Sequence, residues 1–157
     1  MNKKGSPRPV AVYVLIFLHV FLGLNGLWGG ASFILAPNGS LLQVPLSYLE
    51  RSPFSNFLIP GLLLFLFLGV FPLAVAYSLW KLPAWRWPDL INPFKRMHWS
   101  WAASLAVGVA AAVWIGVQVQ WIPASFLQTF IFTWGILILL DTLLPPVRRY
   151  CAGGDRA

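Results

Sequence analysis

Two ionisable side chains, His19 and Asp141, stand inside otherwise apolar runs of this 157-residue chain. A titratable group in hydrocarbon is costly, and where one persists it can pass protons, pair with a charge or bind a polar solute. Protonating a carboxylate switches its cost of crossing a bilayer, the chemistry that proton-coupled transport uses. Asp141 lies about one turn before Pro145, with Arg148 and Arg149 following. An ion pair or a wet interfacial carboxylate is therefore the simpler reading there. For His19 it is a hydrogen bond to a neighbouring backbone group or hydroxyl.

Uncharged amides make a second set: Asn25, Gln118, Gln120 and Gln128, with Trp28 beside the first. Amides in hydrocarbon need partners, so they bond one another across helices or line a small polar cavity. The second alternative makes Asn25, Trp28, Gln118 and Gln128 a ligand site for a lipid-like or small apolar molecule.

Other chemistries lack their residues. The sequence has no HExxH, no glycine-rich phosphate loop, no paired carboxylates and no ordered Ser/His/Asp grouping. Cys151 is the single cysteine, which excludes an intrachain disulfide and a CxxC pair, and it is expected as a reduced thiol in a polar tail. His19 lies about 13 Å into its run at 1.5 Å per residue, while His98 is at an interface, so the two do not suit a shared haem. No cofactor and no metal are expected.

What must position these residues is a membrane-embedded helix bundle. Hydrophobic residues make up 59% of the chain and charged ones 10%, with a mean hydropathy of +0.74. A soluble domain carries about 25% charged residues. A span needs about 20 apolar residues, and four runs qualify: 10–33, 57–80, 99–121 and 125–144. Residues 1–9 and 145–157 are expected as tails. The first run resembles a signal peptide, with Lys3, Lys4 and Arg8 before it, but it is too long for one and is expected as an uncleaved helix. Pro72 should kink the second span.

The net charge of +7 does not imply nucleic acid, because the cations flank the apolar runs and no basic–aromatic patch accompanies them. Ten Lys and Arg fall in the two tails and the 81–98 connection, and one, Arg51, lies on the opposite side. The positive-inside rule then puts both termini in the cytoplasm and the 36–54 connection outside. Residues 81–98 mix cations, prolines and tryptophans, which suits an interfacial loop facing lipid headgroups.

Small residues mark where helices meet. Ser104, Gly108, Ala112 and Gly116 recur every four residues, and Gly26 and Gly30 repeat the spacing in the first span. These seams serve packing within the bundle or self-association. The stretch Ala36–Gly61 is expected as an ordered cap over Asn25, Gln118 and Gln128. In it, Asn38-Gly39 closes a short β-hairpin between 33–36 and 41–44, and a short helix carries Leu46, Tyr48 and Leu49. Asn38-Gly39-Ser40 also matches a glycosylation pattern, but the turn is preferred.

The runs WSWAASLAVGVAAAVWIGVQVQWI and LQTFIFTWGILILLDTLLPPVRRY, with SPFSNFLIPGLLL, resemble a group of small four-span integral membrane proteins of bacteria. That resemblance implies a bacterial plasma-membrane location and a topology, and no activity. The expected protein is all-α: a four-helix transmembrane bundle, N-in and C-in, with an ordered extracytoplasmic loop. Its expected function is non-enzymatic binding of a lipid-like or small apolar ligand, or of a membrane partner or second copy, through the outer half. A small transporter using His19 or Asp141 is the alternative, and a membrane-embedded enzyme the third.

Overall fold

A backbone in hydrocarbon has no water to bond, so each apolar run must satisfy its own N–H and C=O groups as a helix. The computed structural model describes residues 8–123 and 125–153. Four helical stretches are long and apolar enough to cross a membrane: Val10–Leu35, Leu58–Lys81, Trp99–Gln118 and Phe126–Leu143. In chain order the elements are α1 (Val10–Leu35), α2 (Leu58–Leu63), a π-helical segment (Leu64–Val70), α3 (Phe71–Lys81), α4 (Arg86–Ile91), α5 (Trp99–Gln118), α6 (Phe126–Leu143) and α7 (Pro145–Gly153). The third span stops at Gln118 rather than Trp121, because residues 119–122 tighten into turns on Ile115, Val117 and Gln118 carbonyls.

The spans form a ring. α1 lies along the whole second span and also against α6, while α5 packs on α6 and α3. α1 and α5 therefore face each other across the centre. Leu15, Leu68, Val75, Leu79, Val107 and Ile138 fill the interior. Outward-facing residues are as apolar as the core: Phe17, Phe67, Val113 and Phe126 are all exposed. In water such a surface would aggregate; in a bilayer acyl chains cover it.

The contact between α1 and the second span is the tightest. A Cβ on Gly26 would be driven into the Leu68 carbonyl, and one on Gly30 would come within 2.6 Å of the Phe65 nitrogen. From the other side, Cβ atoms on Gly61 and Gly69 would meet Phe33 at 2.6 Å and Leu27 at 2.9 Å. Such notches let backbones approach where hydrophobic driving force is missing and van der Waals packing must hold the helices.

The same seam accounts for the π-helical segment. Pro72 has no N–H to give the Leu68 carbonyl, and its ring crowds that carbonyl. The kink expected at Pro72 takes the form of a widened helix over Leu64–Val70, with Phe71 N–H reaching back to Leu66. The carbonyl that Pro72 cannot serve is the one against which Gly26 lies, so a Gly26 Cα–H points at it.

The second ladder divides. Gly108 packs against Gly135 and Leu139 of α6, Ala111 and Ala112 border Gly135, and Ser104 turns to the bundle centre. A Cβ on Gly116 would meet nothing within 4 Å.

The 36–61 connection is not a hairpin. Residues 33–35 remain in α1, and Ser40–Leu42 and Leu46–Leu49 form two 3₁₀ turns. Continuing α1 satisfies these amides locally, Ala36 N–H bonding Ser32 O at 3.0 Å, whereas a lone two-stranded hairpin is marginal. Asn38-Gly39 does turn the chain, with Gly39 at φ 78° and its N–H on Ala36 O. Leu49 and Phe57 bury, but Leu46 and Tyr48 stay exposed. Phe57 stacks on Phe33 at 4.7 Å, and Phe54 meets Trp121 edge-on. Asn25 lies about 15 Å below the end of α1, at 1.5 Å per residue, so the connection does not cover it.

Residues 145–153, expected as tail, form α7. Pro145-Pro146 ends α6 and at once opens α7, since proline is tolerated in a first turn. Val147 and Cys151 bury one face of it while Arg148 and Arg149 point away.

Gly26→Ala should destabilise the bundle by about 1–3 kcal/mol, the usual cost of overpacking. Gly116→Ala, where the methyl group meets nothing, should instead stabilise it by about 0.5–1 kcal/mol, the usual helix gain of Ala over Gly. Unfolding in mixed detergent micelles compares the two.

Candidate functional site

Buried polar groups gather at the end of the bundle that carries both termini. His98 is the N-cap of α5, and its ring Nδ1 accepts from the Ser100 N–H and from the Ser100 hydroxyl at 2.8 Å. Nε2 faces the Pro83 carbonyl at 3.0 Å. A carbonyl only accepts, so Nε2 carries the proton and Nδ1 stays an acceptor. The Cys151 thiol is fully buried beside the Ser100 hydroxyl, and the His98 N–H donates to the Cys151 carbonyl at 3.0 Å. One imidazole thus ties the 82–98 connection, the start of α5 and the C-terminal part of α7.

Arg8 makes a second clasp. Its guanidinium donates to Trp80 O at 2.7 Å and to the Tyr150 hydroxyl at 3.2 Å, and lies 4.5 Å over the Trp80 ring. Tyr150 donates onward to Leu79 O at 3.0 Å. The last carbonyls of α3 lack helical partners and carry the negative end of the helix dipole, which a cation complements. The Tyr150 oxygen favours the charged guanidinium and raises its pKa.

The 82–98 connection is itself built. The buried Asn92 amide donates to the carbonyls of Phe94 and Met97 and accepts from Phe94 N–H. The Lys95 ammonium caps the short α4, donating to Asp89 O at 2.7 Å and Leu90 O at 3.3 Å. An open groove of about 380 Å³ lies between Arg86, Asp89, Leu90, Asn92 and Lys95. Trp85 stacks on Trp99 and Tyr77, which anchors the connection to the spans.

Deeper in, His19 reaches across the ring: its Nε2 lies 2.6 Å from the Ser104 hydroxyl, both groups fully buried. Among the described residues His19 Nδ1 has no hydrogen-bond partner, nor have Ser78 Oγ and Asp141 Oδ2. The exposed Arg148 and Arg149 do not bond that Asp141 oxygen. Nearby, Trp101 Nε1–H donates to Thr142 O, and Trp134 Nε1–H to Leu18 O. Among the described residues no group of three His, Cys, Asp or Glu converges as metal ligands would.

The amide set does not come together. Asn25 is exposed and donates to its own helix at Phe21 O. Trp28 is 70% exposed. Gln128 closes a capping box with Ser125 at the start of α6, its side-chain oxygen accepting from Ser125 N–H. Gln118 ends α5 and Gln120 is exposed beyond it. The sequence S-F-L-Q, with Ser and Gln three apart ahead of an apolar run, is a capping signal, and it accounts for Gln128 without a ligand. For the Arg8–Tyr150 and His98–Cys151 contacts no local signal exists, since the partners are far apart in sequence. No family model, curated protein or solved structure matches the chain.

Burial pushes the Cys151 thiol pKa up from 9.0 to about 12. The unfolded chain loses that proton from about pH 9 and the folded one only near 12. Stability is therefore unaffected by this group below pH 9 and falls as pH rises from there. A thiol so held should react with maleimide at pH 8 at least about tenfold more slowly than after denaturation, the thiolate being the reactive form. Ser100→Ala should widen that gap, since the Ser100 hydroxyl favours the thiolate and its loss leaves burial unopposed.

Proposed function

We propose that the chain is a multi-pass membrane protein that works by binding rather than catalysis, through the face that carries its termini. The carrying observation is the 82–98 connection. Trp87, Leu90 and Ile91 are 83%, 72% and 85% exposed there, beside the exposed cations Arg86, Lys95 and Arg96. Asn92, Lys95 and His98 hold the backbone beneath them. An apolar, aromatic surface rimmed by cations, at the ends of two spans, suits anionic lipid headgroups: rings among the acyl ends, cations at phosphate. The charge distribution supports a cytoplasmic position for this face, where anionic lipid is concentrated. The bound molecule is then a membrane lipid, met on the opposite side from the 36–61 connection.

The replacement of Arg86 and Arg96 together by Ala, which leaves the Lys95 cap in place, tests it. Each cation near an anionic surface contributes about 1 kcal/mol, or roughly fivefold in affinity. Native mass spectrometry of the protein with mixed anionic and zwitterionic lipid should show the anionic preference largely gone. An unchanged preference would remove this reading.

A second reading has its own support in His19 Nδ1 and Asp141 Oδ2 within the spans, which have no hydrogen-bond partner among the described residues. A small transporter would use such groups to take up and pass a proton. Proton-coupled flux in liposomes should then fall to background with His19→Ala and with Asp141→Asn. Flux indifferent to both leaves only the binding reading.

A further inference from the structure

The groove of about 380 Å³ in the 82–98 connection is lined by charges of both signs: Arg86 and Lys95, and with them Asp89. Arg86 and Asp89 stand three apart on α4, which makes them neighbours on one face of that short helix. Lys95 comes from the chain just beyond it. Opposite charges so close in sequence commonly pair. Here, among the described residues, neither Arg86 nor the Asp89 carboxylate makes a side-chain hydrogen bond or an ion pair.

The reason is local. Lys95 gives two of its three ammonium protons to backbone oxygens, those of Asp89 at 2.7 Å and Leu90 at 3.3 Å, and none to the Asp89 carboxylate. Asn92 is occupied as well, with both amide protons on the Phe94 and Met97 carbonyls and its oxygen on the Phe94 N–H. What the lining has left is the whole Arg86 guanidinium, one Lys95 proton and both Asp89 carboxylate oxygens. A phosphate alone would satisfy the two cations but would face Asp89 at like charge. The complement of this set is a molecule with a phosphate and a cationic N–H donor a few atoms apart. Leu90, 72% exposed, forms part of the wall, and Ile91 beside it is 85% exposed. An apolar border of that kind suits a ligand that carries acyl chains.

We propose that the groove holds the headgroup of an amine-bearing phospholipid, its phosphate on Arg86 and Lys95 and its primary ammonium on the Asp89 carboxylate. This selectivity rests on lipid binding at the 82–98 connection and supplies the chemistry by which one headgroup is chosen over another. The cations by themselves attract any anionic lipid. Asp89 adds a demand for N–H donors, which a primary ammonium meets and a quaternary one does not.

The test is native mass spectrometry of the full chain with phosphatidylethanolamine, phosphatidylglycerol and phosphatidylcholine of the same acyl chains. The ethanolamine and choline lipids share a phosphate and a net charge of zero, and differ in whether the nitrogen carries protons. The unaltered chain should favour the ethanolamine lipid over the choline lipid about threefold, the scale of an exposed charge pair. Asp89→Asn should abolish that preference and keep the preference for the glycerol lipid over the choline lipid. The retained preference also shows that the variant is folded. Equal binding of the ethanolamine and choline lipids by the unaltered chain overturns the proposal. So does an ethanolamine preference that persists in Asp89→Asn. If only the glycerol lipid is favoured over the choline lipid, the anionic-lipid reading stands and the ammonium site falls. If only the ethanolamine lipid is favoured, the ammonium site stands and the anionic preference falls.

Discussion

The close approach of α1 to the second span at Gly26 and Leu68 is the constraint on which the rest of this bundle depends. Helices in lipid are not driven together by water, so they must fit. Three α1 glycines, at 23, 26 and 30, let the two backbones nearly touch. The proline at 72 turns this into a locked register, because the carbonyl it leaves without its usual donor is the one facing Gly26. Sliding α1 by one residue would lose both. With that register set, His19 comes level with Ser104 across the ring, and Trp134 with the Leu18 carbonyl.

The polar interior is distributed unevenly. At the end carrying the 36–61 connection, polar side chains are absorbed locally: Ser32 on Trp28 O and Gln128 in its cap. At the other end, long-range contacts join segments far apart in the chain: Arg8 to Tyr150, Tyr150 to Leu79, His98 to both Pro83 and Cys151. The amphipathic α7 is what closes this end. It joins the 82–98 connection at His98, whose N–H bonds the Cys151 carbonyl.

Much of this architecture was legible in the chain, and what was not has identifiable reasons. Long apolar runs have only one way to satisfy their backbone in hydrocarbon, so the four spans follow from composition. Gly26, Gly30 and Gly108 stand out by spacing, but their partners Gly69, Gly61 and Gly135 do not, being single glycines without a period. The expected hairpin failed because the turn signal of Asn38-Gly39 says that the chain reverses and nothing about what flanks it. Cys151 looked like a tail thiol because α7 is short and basic. It needs the underside of the bundle before it has a face to bury.

The sequence by itself determined the number of the spans and roughly where each lies, the turn at Gly39 and the asymmetry of charge, since these depend on local backbone chemistry and on solvent. Only the tertiary structure decided the rest. It put His19 on Ser104, returned Gln128 to its own helix cap, buried Cys151 behind Ser100 and left Asn25 facing outward. A side chain's partner depends on how each helix is rotated about its axis. In spans that are apolar on every side, no amphipathic stripe records that rotation. It emerges only when the glycine notches choose which faces meet.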